Sequence, residues 1–93
     1  MKKIKVIING PRVQGVFFRT GIQEEAASLD LNGYVKNNED GSVETLFLGD
    51  EEDINEILEF CHKGPTKAKV SDVEIIEEET DPIEEFDDFQ IRY

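Results

Sequence analysis

Cysteine and histidine are nearly absent from this chain of 93 residues, which has one of each. A single cysteine, Cys61, excludes an internal disulfide and favours a reducing, cytoplasmic location. Cys61 and His62 are adjacent and project in different directions from a helix, so no metal site is predicted. We interpret Cys61 as a core residue rather than a reactive thiol, and His62 as a helix-end residue rather than a general base.

Positive charge is also scarce. Lys and Arg number 10 against 22 Asp and Glu, which gives a formal net charge of -12 at pH 7. Binding of nucleic acid or of anionic membranes needs clustered positive charge, so neither partner is predicted. RNA binding through a sheet is a weak alternative, since no aromatic-rich strand carries the base-stacking pattern. No apolar run approaches the roughly 20 residues of a membrane-spanning helix.

The composition does suit one folded domain. Apolar residues make up 38% of the chain and are spread along it, which predicts a globular core rather than disorder. A chain of 93 residues supports a single modest core. We therefore expect one domain over residues 1–93, acting as a monomer.

Hydrophobic periodicity predicts the elements of the first half. Residues 4, 6 and 8 alternate as in a strand, and Phe18, Ile22, Ala26 and Leu29 follow helical spacing. Asn32 and Gly33 are expected to end that helix, with Gly33 as a left-handed cap. A strand over residues 34–37, a turn at residues 39–41 and a returning strand with Val43, Thr45 and Phe47 complete a hairpin.

The second half is predicted in the same way. Asp50 is expected to cap a helix, with Asp53 in a capping-box position, and Gly64 and Pro65 to stop it. Its buried stripe is Ile54, Ile57, Leu58 and Cys61. A strand opens at Val73 and Ile75, and a last strand contains Phe89, Ile91 and Tyr93. The acidic residues 77–88 are interpreted as a solvated connection rather than a calcium site, since regular Asp-x-Asp-x-Asp-Gly spacing is missing.

The order of elements is therefore β-α-β-β-α-β with an added C-terminal strand. A hairpin between two crossover helices is the ferredoxin-like plan of the α+β class. We expect an antiparallel sheet with both helices on one face.

Residues 12–19, Arg-Val-Gln-Gly-Val-Phe-Phe-Arg, are the strongest functional signal. They lie between a predicted strand and a predicted helix, where backbone N–H groups and a helix N-terminus form an anion site. Arg12 and Arg19 add positive charge and planar donors suited to phosphate or carboxylate oxygens. No Gly-Lys-Ser/Thr follows Gly15, which excludes a Walker loop. The alternative is an ordinary turn with two surface arginines.

Three segments resemble the acylphosphatase family. Residues 13–19 are similar to its first signature, and residues 33–37 followed by residues 40–43 and Gly49 to its second. Residues 89–93 resemble its last strand. The match runs from Ile4 to Tyr93, and the family fold is the ferredoxin-like plan predicted above. One departure is Pro11, which stands before Arg12 where the family usually has glycine.

The resemblance implies hydrolysis of acyl phosphates to a carboxylate and inorganic phosphate, without metal or cofactor. Arg19 matches the substrate-binding arginine and Asn37 the water-orienting asparagine. The phosphate cradle matches the backbone N–H groups of Gln14, Gly15, Val16, Phe17 and Phe18. Two alternatives stay open: a non-catalytic anion-binding module on this scaffold, and Asn37 as a strand-end residue that only supports the hairpin turn.

Overall fold

The computed structural model describes residues 1–82 and 86–92. Its elements are β1 (Lys2–Asn9), α1 (Phe18–Ser28), β2 (Asn32–Asn37), β3 (Val43–Gly49), α2 (Glu51–Lys63), β4 (Asp72–Thr80) and β5 (Phe89–Arg92). This is the predicted order. No helix within the described ranges is long and apolar enough to cross a membrane.

The strands form one five-stranded sheet in the order β4-β1-β3-β2-β5. The strands β1 to β4 pair antiparallel, as expected, whereas β5 pairs parallel with β2. The parallel pair follows from the topology. β4 runs opposite to β2, and the chain reverses direction before it adds β5 at the other edge of the sheet.

The hydrophobic core lies between one face of the sheet and both helices. The register places Ile4 and Ile8 of β1 on the same face as Phe47 and Val43 of β3. The helices complete this core with Phe18, Ile22 and Ala26 from α1 and Ile54, Ile57 and Cys61 from α2. Cys61 is fully buried, and burial raises the pKa of its thiol to about 12. Its interpretation as a core residue is confirmed.

The end of α1 differs from the prediction. The helix stops at Ser28, and Asp30 takes a positive φ of 55° in the turn that follows. Gly33 lies inside β2 with a φ of 135°, and a Cβ there would be 1.9 Å from the carbonyl oxygen of Leu46. The prediction of Gly33 as a helix cap is therefore wrong. A side chain at this position would collide with the neighbouring strand.

The acidic segment is also more structured than predicted. Strand β4 continues through Thr80, so residues 77–80 belong to an edge strand rather than to a solvated connection. The Lys3 Nζ lies 3.1 Å from a carboxylate oxygen of Glu77 and 3.1 Å from one of Glu79. Opposite charges on β1 thus allow a carboxylate-rich sequence to pair as a strand. The predicted connection at residues 83–85 and the strand position Tyr93 lie outside the described residues.

The start of α2 is where it was expected. Asp50 occupies the N-cap position, although its side chain makes no capping hydrogen bond in the described part of the chain. Glu51, Glu52 and Asp53 fill the first turn, where negative charge complements the helix dipole. The exposed His62 lies in the last turn, which confirms its helix-end placement.

Candidate active site

The loop between β1 and α1 contains two residues with left-handed backbone. Gly15 has a φ of 74° and Phe17 a φ of 64°. Residues of alternating helical hand turn successive N–H groups toward one side and form an anion-binding concavity. A Cβ built at Gly15 would meet nothing within 4 Å, so this glycine borders open space. The two left-handed residues and the open space at Gly15 are features that such anion-binding loops share.

The first turn of α1 continues this donor-rich surface. The helix begins at Phe18 with no side-chain cap and no acidic residue in its first turn. The first N–H groups of a helix have no intrahelical acceptor, and the helix dipole is positive there. Within residues 1–82 and 86–92, no group accepts a hydrogen bond from the N–H of Gly15, Val16 or Phe17. These donors are available to a bound anion.

A cavity of about 290 Å³ opens in front of the loop and the helix start. Its lining residues are Val13, Gly15, Phe17, Phe18, Arg19, Thr20 and Asn37. The structure thus brings together Arg19 and Asn37, which are predicted from separate motifs. Three of the five predicted cradle residues, Gly15, Phe17 and Phe18, line the same space.

Asn37 reaches this cavity because of its place in β2. It pairs with Val43, so it lies on the core face of the sheet at the last position of the strand. The residues that follow Asn37 hold the hairpin turn together. The N–H of Asn38 donates to the Ser42 carbonyl at 2.9 Å. The Ser42 hydroxyl and N–H donate to the Asp40 carboxylate and hold the pKa of Asp40 below its ordinary value. Asn38, Asp40 and Ser42 therefore supply the turn contacts.

Gln14 and Val16 are placed differently from the other cradle residues. The Gln14 Nε2 donates to the carbonyl oxygens of Asn38 and Ser42, both at 2.8 Å. This side chain fastens the loop to the hairpin that follows Asn37. Val16 is 9% exposed and lines a neighbouring groove. Any contact of Gln14 with a phosphate is therefore left to its backbone.

Arg12 does not join Arg19 at the cavity. Its backbone forms an antiparallel bridge with Lys69, with the Lys69 N–H donating to the Arg12 carbonyl at 2.7 Å. The bridge fixes Arg12 before the loop turns toward the cavity, and its side chain is exposed. The expectation that both arginines serve one pocket is wrong.

The sequence model of the Acylphosphatase family matches residues 4–91. A protein named acylphosphatase from Haloarcula marismortui is 43% identical over 88 residues, which cover 95% of this chain and 92% of the relative. The chain belongs to the acylphosphatase family. This confirms the resemblance seen in the motifs and the expected enzyme class, an acylphosphatase hydrolase.

Solved acylphosphatase structures agree with the fold. The crystal structure of acylphosphatase from Bacillus subtilis has a TM-score of 0.92, with 38% identity and coverage of 100% of both chains. The acylphosphatase structure from Coxiella burnetii has a TM-score of 0.85 and 37% identity, and covers 98% of this chain and 92% of that one. These neighbours confirm the ferredoxin-like plan.

The charge around the cavity of this acylphosphatase family member is unlike that of the chain as a whole. Neither residues 10–23 nor residues 60–71 contain Asp or Glu, and the Arg12–Lys69 bridge holds the two segments side by side. The second segment carries Lys63, Lys67 and Lys69. Lys67 lines the groove beside Val16, and three lysines in an acid-free stretch of so acidic a chain are the sequence signal that marks this segment.

No cluster of metal ligands accompanies the site. Among the described residues there is no group of three or more His, Cys, Asp or Glu side chains that could hold a metal ion. The cavity instead offers an arginine, an amide side chain and backbone donors. This donor set suits an anion.

Proposed function

We propose that the cavity binds the phosphoryl group of an acyl phosphate and that the chain hydrolyses its carboxyl–phosphate bond. Arg19 binds two phosphoryl oxygens through its planar guanidinium. The backbone N–H groups of Gln14, Gly15, Val16, Phe17 and Phe18 hold the remaining oxygens. The observation that carries the proposal is the meeting of Arg19, Asn37 and the left-handed loop around one cavity.

The proposed reaction needs no covalent nucleophile. Carboxylate is a good leaving group, so positioning and charge stabilisation supply most of the catalysis. The Asn37 side-chain oxygen accepts a hydrogen bond from a water in line with the leaving group. The water oxygen bonds to phosphorus as the bond from phosphorus to the acyl oxygen breaks. Asparagine is no base at neutral pH, so the water proton passes to the substrate, and carboxylate and inorganic phosphate leave.

The wider setting is part of the same proposal. Residues 1–93 act as one domain and as a monomer, in the cytoplasm, without metal or cofactor. The partners are the small acyl phosphate and inorganic phosphate, and neither nucleic acid nor a membrane takes part. The net charge of -12 supports the exclusion of polyanionic partners.

Phosphate release from benzoyl phosphate and from p-nitrophenyl phosphate, each measured with and without excess EDTA, tests this function. We expect hydrolysis of benzoyl phosphate well above the spontaneous rate and little hydrolysis of the ester, because its leaving group is poorer. EDTA should not change the rate. Binding of inorganic phosphate without hydrolysis would instead support a non-catalytic anion-binding module, and loss of activity with EDTA would contradict the metal-free scheme.

A further inference from the structure

Phe17 is unusual in two independent ways. It is a large aromatic residue with 82% of its surface exposed, while the next residue, Phe18, is 2% exposed in the core. Its backbone is also left-handed, a conformation that non-glycine residues adopt rarely and at a cost. Backbone strain of this kind concentrates at ligand sites. Phe17 also lines the proposed phosphate cavity, so its exposed ring lies at the cavity edge.

A second groove, of about 270 Å³, also borders Phe17. It is lined by Val16, Phe17, Pro65, Thr66 and Lys67. Phe17 therefore borders both the groove and the phosphate cavity. The aliphatic stem of a lysine can border apolar surface while its ammonium reaches water, so Lys67 is compatible with an apolar occupant.

The fold holds the two walls of this groove together. The Arg12–Lys69 bridge joins the loop to the segment after α2. Gly64 packs so closely on the Phe18 ring that a Cβ there would be 3.0 Å from a ring carbon. These two contacts hold the walls of the groove together, and one wall, formed by Val16 and Phe17, belongs to the loop that forms the phosphate cavity.

We infer that this groove binds the acyl group of the substrate and selects acyl phosphates with a flat, apolar acyl group such as an aromatic ring. The inference rests on the proposed function, which puts the phosphoryl group in the neighbouring cavity. The acyl group is joined to that phosphoryl group through one oxygen and must therefore lie at the cavity edge, where Phe17 is exposed. The ring of Phe17 stacks against it.

Stacking of two aromatic rings adds about 0.5–1.5 kcal/mol to their burial, which is roughly a twofold to tenfold change in affinity. Phe17 is then a specificity-determining residue. Its side chain acts on the acyl end of the substrate, whereas only its backbone N–H is assigned to the phosphoryl group.

The test measures dissociation constants for benzoylphosphonate, acetylphosphonate and inorganic phosphate, none of which is hydrolysed. The proteins are the wild type, Phe17→Ala, Phe17→Tyr and the control Ile76→Ala, which removes an exposed apolar side chain from the edge strand β4. We expect the wild type to prefer benzoylphosphonate over acetylphosphonate by about tenfold. Phe17→Ala should abolish most of this preference, and Phe17→Tyr and Ile76→Ala should keep it. Phosphate affinity should be unchanged in Ile76→Ala. In the Phe17 variants it is the reference that separates a change in the backbone cradle from loss of the acyl contact.

Two results would overturn the acyl subsite. One is a wild-type preference near unity, or one that Phe17→Ala leaves unchanged. The other is a change of oligomeric state in Phe17→Ala, which would make the groove a contact between two copies of the chain. A preserved preference in a protein that fails to hydrolyse benzoyl phosphate would reject the proposed reaction and keep the groove, so the two failures are distinguishable.

Discussion

The loop end of the molecule and its edge strand distribute charge in opposite ways. Residues 10–23, which supply most of the cavity lining, and residues 60–71, part of which lines the neighbouring groove, contain no carboxylates. In contrast, β4 carries Asp72, Glu74, Glu77, Glu78 and Glu79. The net charge of the whole chain therefore describes neither region. A chain with an excess of 12 negative charges keeps an acid-free surface where an anion is proposed to bind. Three carboxylates of β4, those of Glu77, Glu78 and Glu79, instead pair with lysines of β1.

Lys3 shows how the edge strand uses its charge. This lysine is 2% exposed and pairs with Glu77 and Glu79, which are each about half exposed. Lys2 pairs in the same way with Glu78 of β4 and with Glu51 of α2. The edge strand β4 is thus held to β1 by ion pairs as well as by backbone hydrogen bonds. An edge with many charged side chains also discourages pairing with other chains.

The largest difference between the two regions should appear at Arg19. Arg19→Ala should lower kcat/KM for benzoyl phosphate by about 10³-fold, and Arg19→Lys should also lose most activity, because lysine lacks the planar pair of donors. Both variants should fold, since Arg19 lies outside the core cluster. Arg12→Ala is the matched control, an exposed arginine of the same loop that should stay within about threefold of the wild type. Near-normal kcat/KM in Arg19→Lys would reject bidentate binding.

Lys3 should show the reverse pattern, with an effect on stability and none on activity. Lys3→Met leaves Glu77 and Glu79 without their shared counter-charge and should lower the free energy of unfolding by about 2 kcal/mol. The loss is smaller than for a fully buried pair, because both carboxylates are half exposed. Lys63→Met, at the loop end, is the control and should change stability little. Urea denaturation measures both, and a Lys3→Met protein as stable as the control would contradict the role of these pairs.

Glu44 should give a smaller, pH-dependent effect on the open face of the sheet. Burial alone would raise its pKa, but the hydrogen bond from the Tyr34 hydroxyl, at 2.6 Å, and the charge of Lys5 hold the pKa of Glu44 below its ordinary value. A carboxylate whose pKa is lowered by folding stabilises the protein above its unfolded pKa of about 4.3. This contribution disappears as the pH falls through the folded pKa.

Glu44→Gln should therefore be less stable than the wild type at pH 7, and the difference should shrink on acidification to about pH 2.5. The exposed Glu24→Gln serves as the control for simple removal of a negative charge. Thermal melts at both pH values make the comparison. A difference between Glu44→Gln and wild type that is constant with pH would mean that the folded carboxylate has no special stabilisation.

Salt should raise the thermal stability of the acidic fold and lower anion affinity at the cavity. These are the smallest effects expected. Raising potassium chloride from about 0.01 to 0.15 M shortens the Debye length from about 30 to about 8 Å. Screening weakens repulsion among the acidic residues, so Tm should rise, while the affinity for inorganic phosphate should fall. A Tm that is flat or falls over this range would show that local pairing already neutralises the acidic residues.

Much of the fold is visible in the sequence because it depends on local patterns. The apolar periodicities of β1, α1 and α2, and the glycines that end α2 and turn the hairpin, gave the right elements in the right order. The errors concern contacts between distant residues. The close approach of Gly33 to Leu46 exists only in the paired sheet, so local sequence favours a helix cap at Gly33 instead. In the same way, Lys3 neutralises carboxylates of β4 across the sheet, and local sequence alone predicts a shorter strand.

The candidate site likewise combines residues that local motifs predict with contacts that only the folded chain creates. Arg19 and Asn37 stand in recognisable motifs, and the fold places both at one cavity. The nearness of residues 63–69 to the loop depends on the bridge between Arg12 and Lys69, which no local pattern predicts. No local pattern predicts the hydrogen bonds of the Gln14 side chain either, because its acceptors are backbone carbonyls more than 20 residues away.

Calorimetric titration of inorganic phosphate into wild type, Arg19→Ala and Asn37→Ala, combined with kcat for benzoyl phosphate, tests the central claim most directly. Arg19 is proposed to hold the phosphoryl group, so Arg19→Ala should weaken phosphate binding by at least about thirtyfold. Asn37 is proposed to orient the water, so Asn37→Ala should bind phosphate within about twofold of the wild type while kcat falls about 10²-fold. Loss of phosphate affinity in Asn37→Ala with near-normal kcat would contradict the account.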